Sequence, residues 1–174
     1  MGSEGLLTVN LNSSSGSNNN QFYIGANSSL KVDADITGTY GIDKTGSGRL
    51  DLGFNIGSGM STGLNNFSGG VLLSSGSLYL DQSSYTNNNG AFYSPVGTGT
   101  LTIDGGNINS GNGAITITNT VIINTLSPHI DPNVKFTNIQ YAQLPGAINV
   151  ASGTSGDDWN HSQFFPADAE HQPH

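Results

Sequence analysis

Four side chains have the type and spacing to meet a ligand: Asp33, Asp35, Tyr79 and Tyr85. Asp33-Ala34-Asp35 puts two carboxylates on one face of an extended strand. Such a pair suits general acid–base chemistry or Ca²⁺ coordination. A solvated outer face opposite Leu30, Val32 and Ala34 explains the same pattern. The G-G-x-G-x-D nonapeptide of Ca²⁺-binding solenoids is absent. Tyr79 lies between Leu78 and Leu80, so it is expected to point outward where those leucines point inward. Outward Tyr on a sheet can stack on sugars, or simply cover the sheet surface. Tyr23, Tyr40, Tyr85, Phe92, Tyr93 and Tyr141 complete the aromatic set.

A second cluster gathers near the C-terminus: Asp157, Asp158, His161, Asp168, Glu170, His171 and His174. Acids suit hard cations and imidazoles suit zinc. But His161 and His171 stand ten residues apart, not at the i,i+4 spacing of a helical zinc pair. A solvated tail explains the cluster as well, and no metal or other cofactor is expected. Arg49 is the only Arg in the chain and sits next to Leu50. With no convergent set of titratable groups, catalysis is not the expected role.

The charge pattern excludes two partner classes. Net charge is −8, and only Lys31, Lys44, Arg49 and Lys135 are cationic. They are scattered, whereas nucleic-acid and anionic-lipid surfaces need clustered cations. Up to Val150 eight acids face four bases, and the last 24 residues add four acids and no base. There is no cysteine, so neither disulfides nor thiolate metal sites form. No stretch reaches the length of a membrane span. Met1-Gly2-Ser3-Glu4 lacks the basic start and apolar run of a secretory leader, so an exported protein is expected to have lost one.

The elements that carry these residues are short strands. Gly, Ser, Thr and Asn make up about half of the sequence, a composition that disfavours helix. An apolar–polar–apolar triplet recurs at Leu7-Thr8-Val9, Leu30-Lys31-Val32, Leu50-Asp51-Leu52, Leu78-Tyr79-Leu80, Leu101-Thr102-Ile103 and Ile115-Thr116-Ile117. The spacing is mostly 20 to 28 residues, with one gap of 14. That spacing predicts one turn of a solenoid per repeat, with Leu30, Leu50, Leu78 and Leu101 inward. Leu30 to Ile36 reads as one alternating strand, and β-branched residues crowd Ile115 to Ile123. Val134 to Phe136 and Ala147 to Val150 are the last expected strands. Ser13–Asn20 and Asn87–Gly90 read as polar loops. Residues 1–150 form the expected solenoid domain, and 151–174 a linker followed by a polar tail or cap.

Residues 42–80 resemble the passenger-associated transport repeat, also called the autotransporter-associated β-strand repeat. The matching pieces are Lys44-Thr45-Gly46-Ser47-Gly48-Arg49-Leu50-Asp51-Leu52, then Asn66-Phe67-Ser68-Gly69-Gly70, then Ser75-Gly76-Ser77-Leu78-Tyr79-Leu80. The stretch from Phe54 to Leu64 is longer than the family's usual link. The resemblance implies an all-β, right-handed parallel β-helix in a secreted or surface-displayed bacterial protein. It implies a scaffold and no particular activity. The expected function is therefore a non-enzymatic stalk or adhesin-type passenger segment at the bacterial cell surface. Its expected partners are a surface glycan, a host or neighbouring cell surface, or further copies along the solenoid. The alternative is a carbohydrate-active β-helix, a polysaccharide lyase or a phage-tail-type glycan depolymerase, which would need carboxylates converging in a groove.

Overall fold

The computed structural model describes residues 8–11, 19–32, 34–53 and 65–142. They are all-β, with fifteen strands and no helix. Two parallel sheets dominate. One has six strands in the order β15 (Val134–Tyr141), β13 (Ile115–Ile123), β11 (Leu101–Ile103), β7 (Val71–Leu73), β5 (Gly41–Thr45) and β2 (Asn19–Tyr23). The other has five, in the order β14 (His129–Ile130), β12 (Asn107–Ser110), β8 (Ser77–Leu80), β6 (Arg49–Leu52) and β3 (Ser29–Lys31). The chain steps from the larger sheet to the smaller and back, so each strand lies beside the one laid down on the previous visit.

Register turns these visits into columns of side chains. In the smaller sheet Leu30, Leu50, Leu78, Ile108 and Ile130 stand side by side. In the larger sheet Ile42, Val71, Leu101, Val121 and Ile139 form one column. Next to it run Phe22, Lys44, Leu73, Ile103, Ile123 and Tyr141. The apolar members other than the edge residue Leu30 interlock in a single core, with Leu50, Leu78, Leu101 and Ile108 fully buried. Burying such a side chain contributes about 1.5–3 kcal/mol.

A third line of pairings runs beside the two sheets. β1 (Thr8–Leu11) pairs in parallel with β4 (Asp35–Gly38), aligning Val9 with Ile36. Asn66 N then donates to Ile36 O at 3.0 Å, and Thr98 N to Phe67 O at 2.8 Å. Ile36, Phe67 and Val96 are all fully buried on this side.

Two corners need a residue without Cβ. Gly76, at φ +78, would place a Cβ 2.3 Å from Gly46 O, and Gly70, at φ +73, would place one 2.2 Å from Thr100 O. Both lie where one turn packs directly on its neighbour.

Several expectations change in detail. Leu101 does not continue the Leu30–Leu50–Leu78 column; Ile108 does, and Leu101 belongs to the other sheet. The short gap of 14 arises because Ile115–Ile117 opens the long strand β13. It is Val121, 20 residues on, that pairs with Leu101. Leu30 to Ile36 is not one strand. It breaks between β3 and β4, which join different sheets. Leu30 is 40% exposed because β3 ends its sheet among the described residues and no neighbour covers it on that side. The last strand runs on to Tyr141, past the expected Phe136. Ala147 to Val150, the Ser13 end of the first polar loop and the 151–174 tail lie outside the described residues.

The difference between Leu78 and Leu30 is testable. Leu78→Ala should cost about 2–5 kcal/mol, whereas Leu30→Ala at the sheet edge should cost less than about 1 kcal/mol. Leu78→Asp should prevent folding, since an unpaired charge has no partner in that column. Urea unfolding followed by circular dichroism measures all three; equal costs at positions 30 and 78 would contradict the column.

Candidate functional site

The candidate surface comprises the outer face of the smaller sheet and a hairpin that departs from it after β8. On the sheet, Leu78 and Leu80 turn inward and Tyr79 turns outward, half-buried. Its register neighbours are Asp51 on β6 and Asn109 on β12. Arg49 lies across the Tyr79 ring, its Cζ 3.5 Å from the centroid. The same guanidinium grips Asp51 with two hydrogen bonds, Nε to Oδ1 at 2.5 Å and Nη2 to Oδ2 at 2.6 Å. That bond, foremost, holds the Arg49 pKa above its ordinary value. The cation occupies the ring face that a sugar would otherwise stack on. Tyr79 is thus outward, as its neighbours dictate, with one face closed.

The hairpin is formed by β9 (Tyr85–Thr86) and β10 (Phe92–Tyr93), which pair antiparallel. Tyr85 and Tyr93 sit opposite each other with ring centroids 5.4 Å apart and planes inclined by 25°. Offset stacking of this kind adds about 0.5–1.5 kcal/mol beyond burial. Tyr85 retains 36% of its surface in solvent. The expected loop Asn87-Asn88-Asn89-Gly90 is the tip. Asn87 fastens it: its N donates to Ala91 O, and its Oδ1 accepts from the N–H groups of Asn89 and Ala91. Asn88, Asn89 and Gly90 are exposed beyond that clasp.

Two buried asparagines anchor the legs of this hairpin. Before it, Ser84 N donates to Thr116 O and Ser84 Oγ donates to Asn119 Oδ1 at 3.2 Å. Asn119 in turn donates to Gly97 O at 3.0 Å and Gly99 O at 2.8 Å. After it, Ser94 N donates to Asn65 O, and Asn65 Nδ2 donates to Pro95 O at 3.0 Å. Asn65 Oδ1 also accepts from Ile36 N at 3.0 Å. Both side chains spend amide and carbonyl on backbone or hydroxyl groups that would otherwise be buried unpaired. Sequence reading missed both. Asn66, taken as the start of the Asn-Phe-Ser-Gly-Gly phrase, is exposed, and its neighbour Asn65 is the buried one.

Lys44 was also missed as a structural group. It is fully buried in the column between Phe22 and Leu73. Its Nζ donates to the carbonyls of Thr45 at 3.0 Å, Gly46 at 2.9 Å and Ser75 at 3.1 Å. Burial lowers its pKa below 10.5. The ammonium thereby joins two successive turns, its charge held by three peptide dipoles and, among the described residues, by no carboxylate.

Among the described residues the acids do not converge. Asp35 opens β4, while Asp33 lies outside the described residues. Asp43 accepts from Ser74 Oγ at 2.9 Å and Asp104 from Asn124 Nδ2 at 2.6 Å. Asp131 accepts from Asn133 N at 2.8 Å, and chiefly for that reason its pKa lies below the usual value. Among the described residues no three His, Cys, Asp or Glu gather as a metal site. One chemical pattern escaped the sequence reading, Gly59-Met60-Ser61-Thr62-Gly63. It has the Gly-x-Ser-x-Gly form of a nucleophile elbow, which requires a strand–turn–helix setting, and it lies outside the described residues.

No protein-family model, curated protein or solved structure matches the chain.

Lys44 yields a prediction with a defined sign. Its folded pKa lies below the unfolded 10.5, so between those values the unfolded chain binds more protons and stability rises with pH. Lys44→Met removes the ammonium from three carbonyls, of which Thr45 O keeps Ile24 N and Gly46 O keeps Ser75 Oγ while Ser75 O loses its donor, and it removes that titration. The variant should melt lower, and it should lack the rise with pH that Lys44 adds to the parent, while the raised pKa of Tyr141 acts in the opposite sense in both proteins and cancels in their difference. Unfolding titrations of both proteins across the alkaline range measure the difference; parallel curves would refute the lowered Lys44 pKa.

Proposed function

We propose that this chain is a right-handed parallel β-solenoid that acts without catalysis, as a stalk or adhesin-type segment of a secreted or surface-displayed bacterial protein. The observation that carries the reading is the register. Column stands on column through five strands of one sheet and six of the other, and the insertion between β8 and the next buried run projects as one anchored hairpin. A stacked scaffold is extended by repetition and keeps its faces smooth. The binding element is then whatever departs from repetition, here Tyr85, Tyr93 and the amides of Asn88 and Asn89. The resemblance of residues 42–80 to the passenger-associated transport repeat supports the same reading. So does the engagement of Asp43, Asp51, Asp104 and Asp131 in structural bonds.

A glycan of a neighbouring or host cell is the proposed partner. Its apolar sugar faces suit the Tyr85 ring and its hydroxyls suit the amides. One such contact is weak, and strength comes from display in many copies. Among the described residues the larger sheet ends at β2 and β15 and the smaller at β3 and β14, and further copies would add along the solenoid at such ends.

A glycan panel with binding and product detection run side by side tests both halves. Immobilised, multivalent protein should bind, the double change Tyr85→Ala/Tyr93→Ala should weaken binding at least several-fold without lowering the melting point by more than a few degrees, and no sugar should be released. Binding indifferent to both tyrosines would remove the hairpin from the reading. Release of reducing or unsaturated ends, lost on changing Asp33 or Asp35, would replace the scaffold with a carbohydrate-active enzyme.

A further inference from the structure

The geometry points to Asn112-Gly113 as a site of spontaneous deamidation, a covalent change made by the chain itself and independent of any glycan. The sequence holds two Asn-Gly pairs, Asn89-Gly90 and Asn112-Gly113. Asn is among the chemically labile residues, and a following Gly favours the reaction because no Cβ shields the attacking nitrogen. That nitrogen loses its proton to solvent base and bonds to the Asn Cγ. The Cγ–Nδ2 bond breaks, and ammonia departs with a proton from water. The resulting five-membered succinimide takes up one water and opens at either carbonyl, giving aspartate or isoaspartate. Nothing is oxidised or reduced, and solvent is the only co-reactant.

Both pairs meet the steric condition. Asn89, Gly90, Asn112 and Gly113 are exposed. A Cβ built on either glycine would find nothing within 4 Å, so the ring has room to close. What separates the pairs is the reacting N–H. At the hairpin tip Gly90 N donates to Asn87 O at 3.0 Å. The residues on either side, Asn89 and Ala91, both donate to Asn87 Oδ1 at 3.0 and 2.9 Å. The nitrogen that must be deprotonated is engaged, and the backbone that must rotate is clasped on both sides.

The turn joining β12 to β13 is different. There Asn112 N donates to Ser110 Oγ at 3.3 Å, and Ser110 Oγ donates to Gly113 O. Among the described residues no hydrogen bond holds Gly113 N. The Ser110 hydroxyl steadies the turn through the groups flanking the reacting bond and leaves the nucleophile to solvent. Asn112 therefore converts before Asn89, the reverse of what the longer Asn run at the tip suggests. Each event adds one negative charge to a chain at −8. The isoaspartate product also inserts one methylene into the main chain just ahead of β13.

The test is incubation of the full chain in mildly alkaline buffer, with peptide mass mapping of the amide-to-acid change and enzymatic methyl labelling of isoaspartate. Free peptides spanning 86–93 and 109–116 and the urea-unfolded chain are the references. Asn112 should convert several-fold faster than Asn89 in the folded chain, while the two sites should react at similar rates in the references. Asn112→Gln, exposed and outside any strand, should remove the fast phase and leave the melting point unchanged. Asn89 reacting as fast as Asn112 in the folded chain would overturn the inference, as would Asn112 reacting several-fold slower than its free peptide.

Discussion

The structure depends on one constraint, that each visit of the chain to a sheet must repeat the register of the last. Parallel pairing evenly spaces the backbone bonds, so a strand can add only where its inward residues meet the inward residues of its neighbour. A slip by one residue would turn Tyr79 inward and Leu78 and Leu80 outward. Strands of three or four residues could not hold such a register alone. They hold it because the corners are fixed as well. Gly70 and Gly76 let successive turns touch backbone to backbone, and this contact sets where the next strand begins.

The polar interior follows from the same constraint. Stacked corners bring carbonyls together faster than the ladder can satisfy them, and an unpaired buried carbonyl costs about 1–3 kcal/mol. Lys44 meets this need at the corner between the sheets, bridging its own turn and the next. Asn65 and Asn119 meet it on the third side, each reaching to backbone contributed by a different repeat. These residues do in the core what Leu and Ile do in the columns. They join one repeat to the next, using hydrogen bonds in place of apolar contact.

Much of this was legible in the sequence, for a physical reason. An apolar–polar–apolar triplet has only one way to lie on a half-buried strand, so Leu50, Leu78 and Leu101 were correctly turned inward and Tyr79 outward. Sheet membership was less legible, because Leu-Tyr-Leu and Leu-Thr-Ile present the same pattern to either sheet. Leu101 and Ile108 exchange roles for that reason. Leu30 has a core residue's sequence and an edge residue's exposure, since burial depends on how many repeats flank a position. The Asn roles were illegible: in a chain this rich in Asn, nothing local distinguishes Asn65 from Asn66. Lys44 stood in plain view as the first residue of the repeat phrase. Its role needed the Ser75 carbonyl, 31 residues away, to be brought beside it.

The constraint also explains where recognition can arise. A residue on a repeated face is held by neighbours above and below, and its side chain is recruited to lateral contacts, as Arg49 is by Asp51 and Tyr79. Changing it for a ligand disturbs two interfaces. An insertion at a corner is free of that coupling provided both of its ends return to register. The 85–93 hairpin satisfies the condition, with Asn119 fixing its entry and Asn65 its exit. Its tyrosines stack on each other and spare the columns below. Among the described residues this departure from the repeat therefore has a defined shape, and a defined shape would lower the ordering cost of the binding proposed for it.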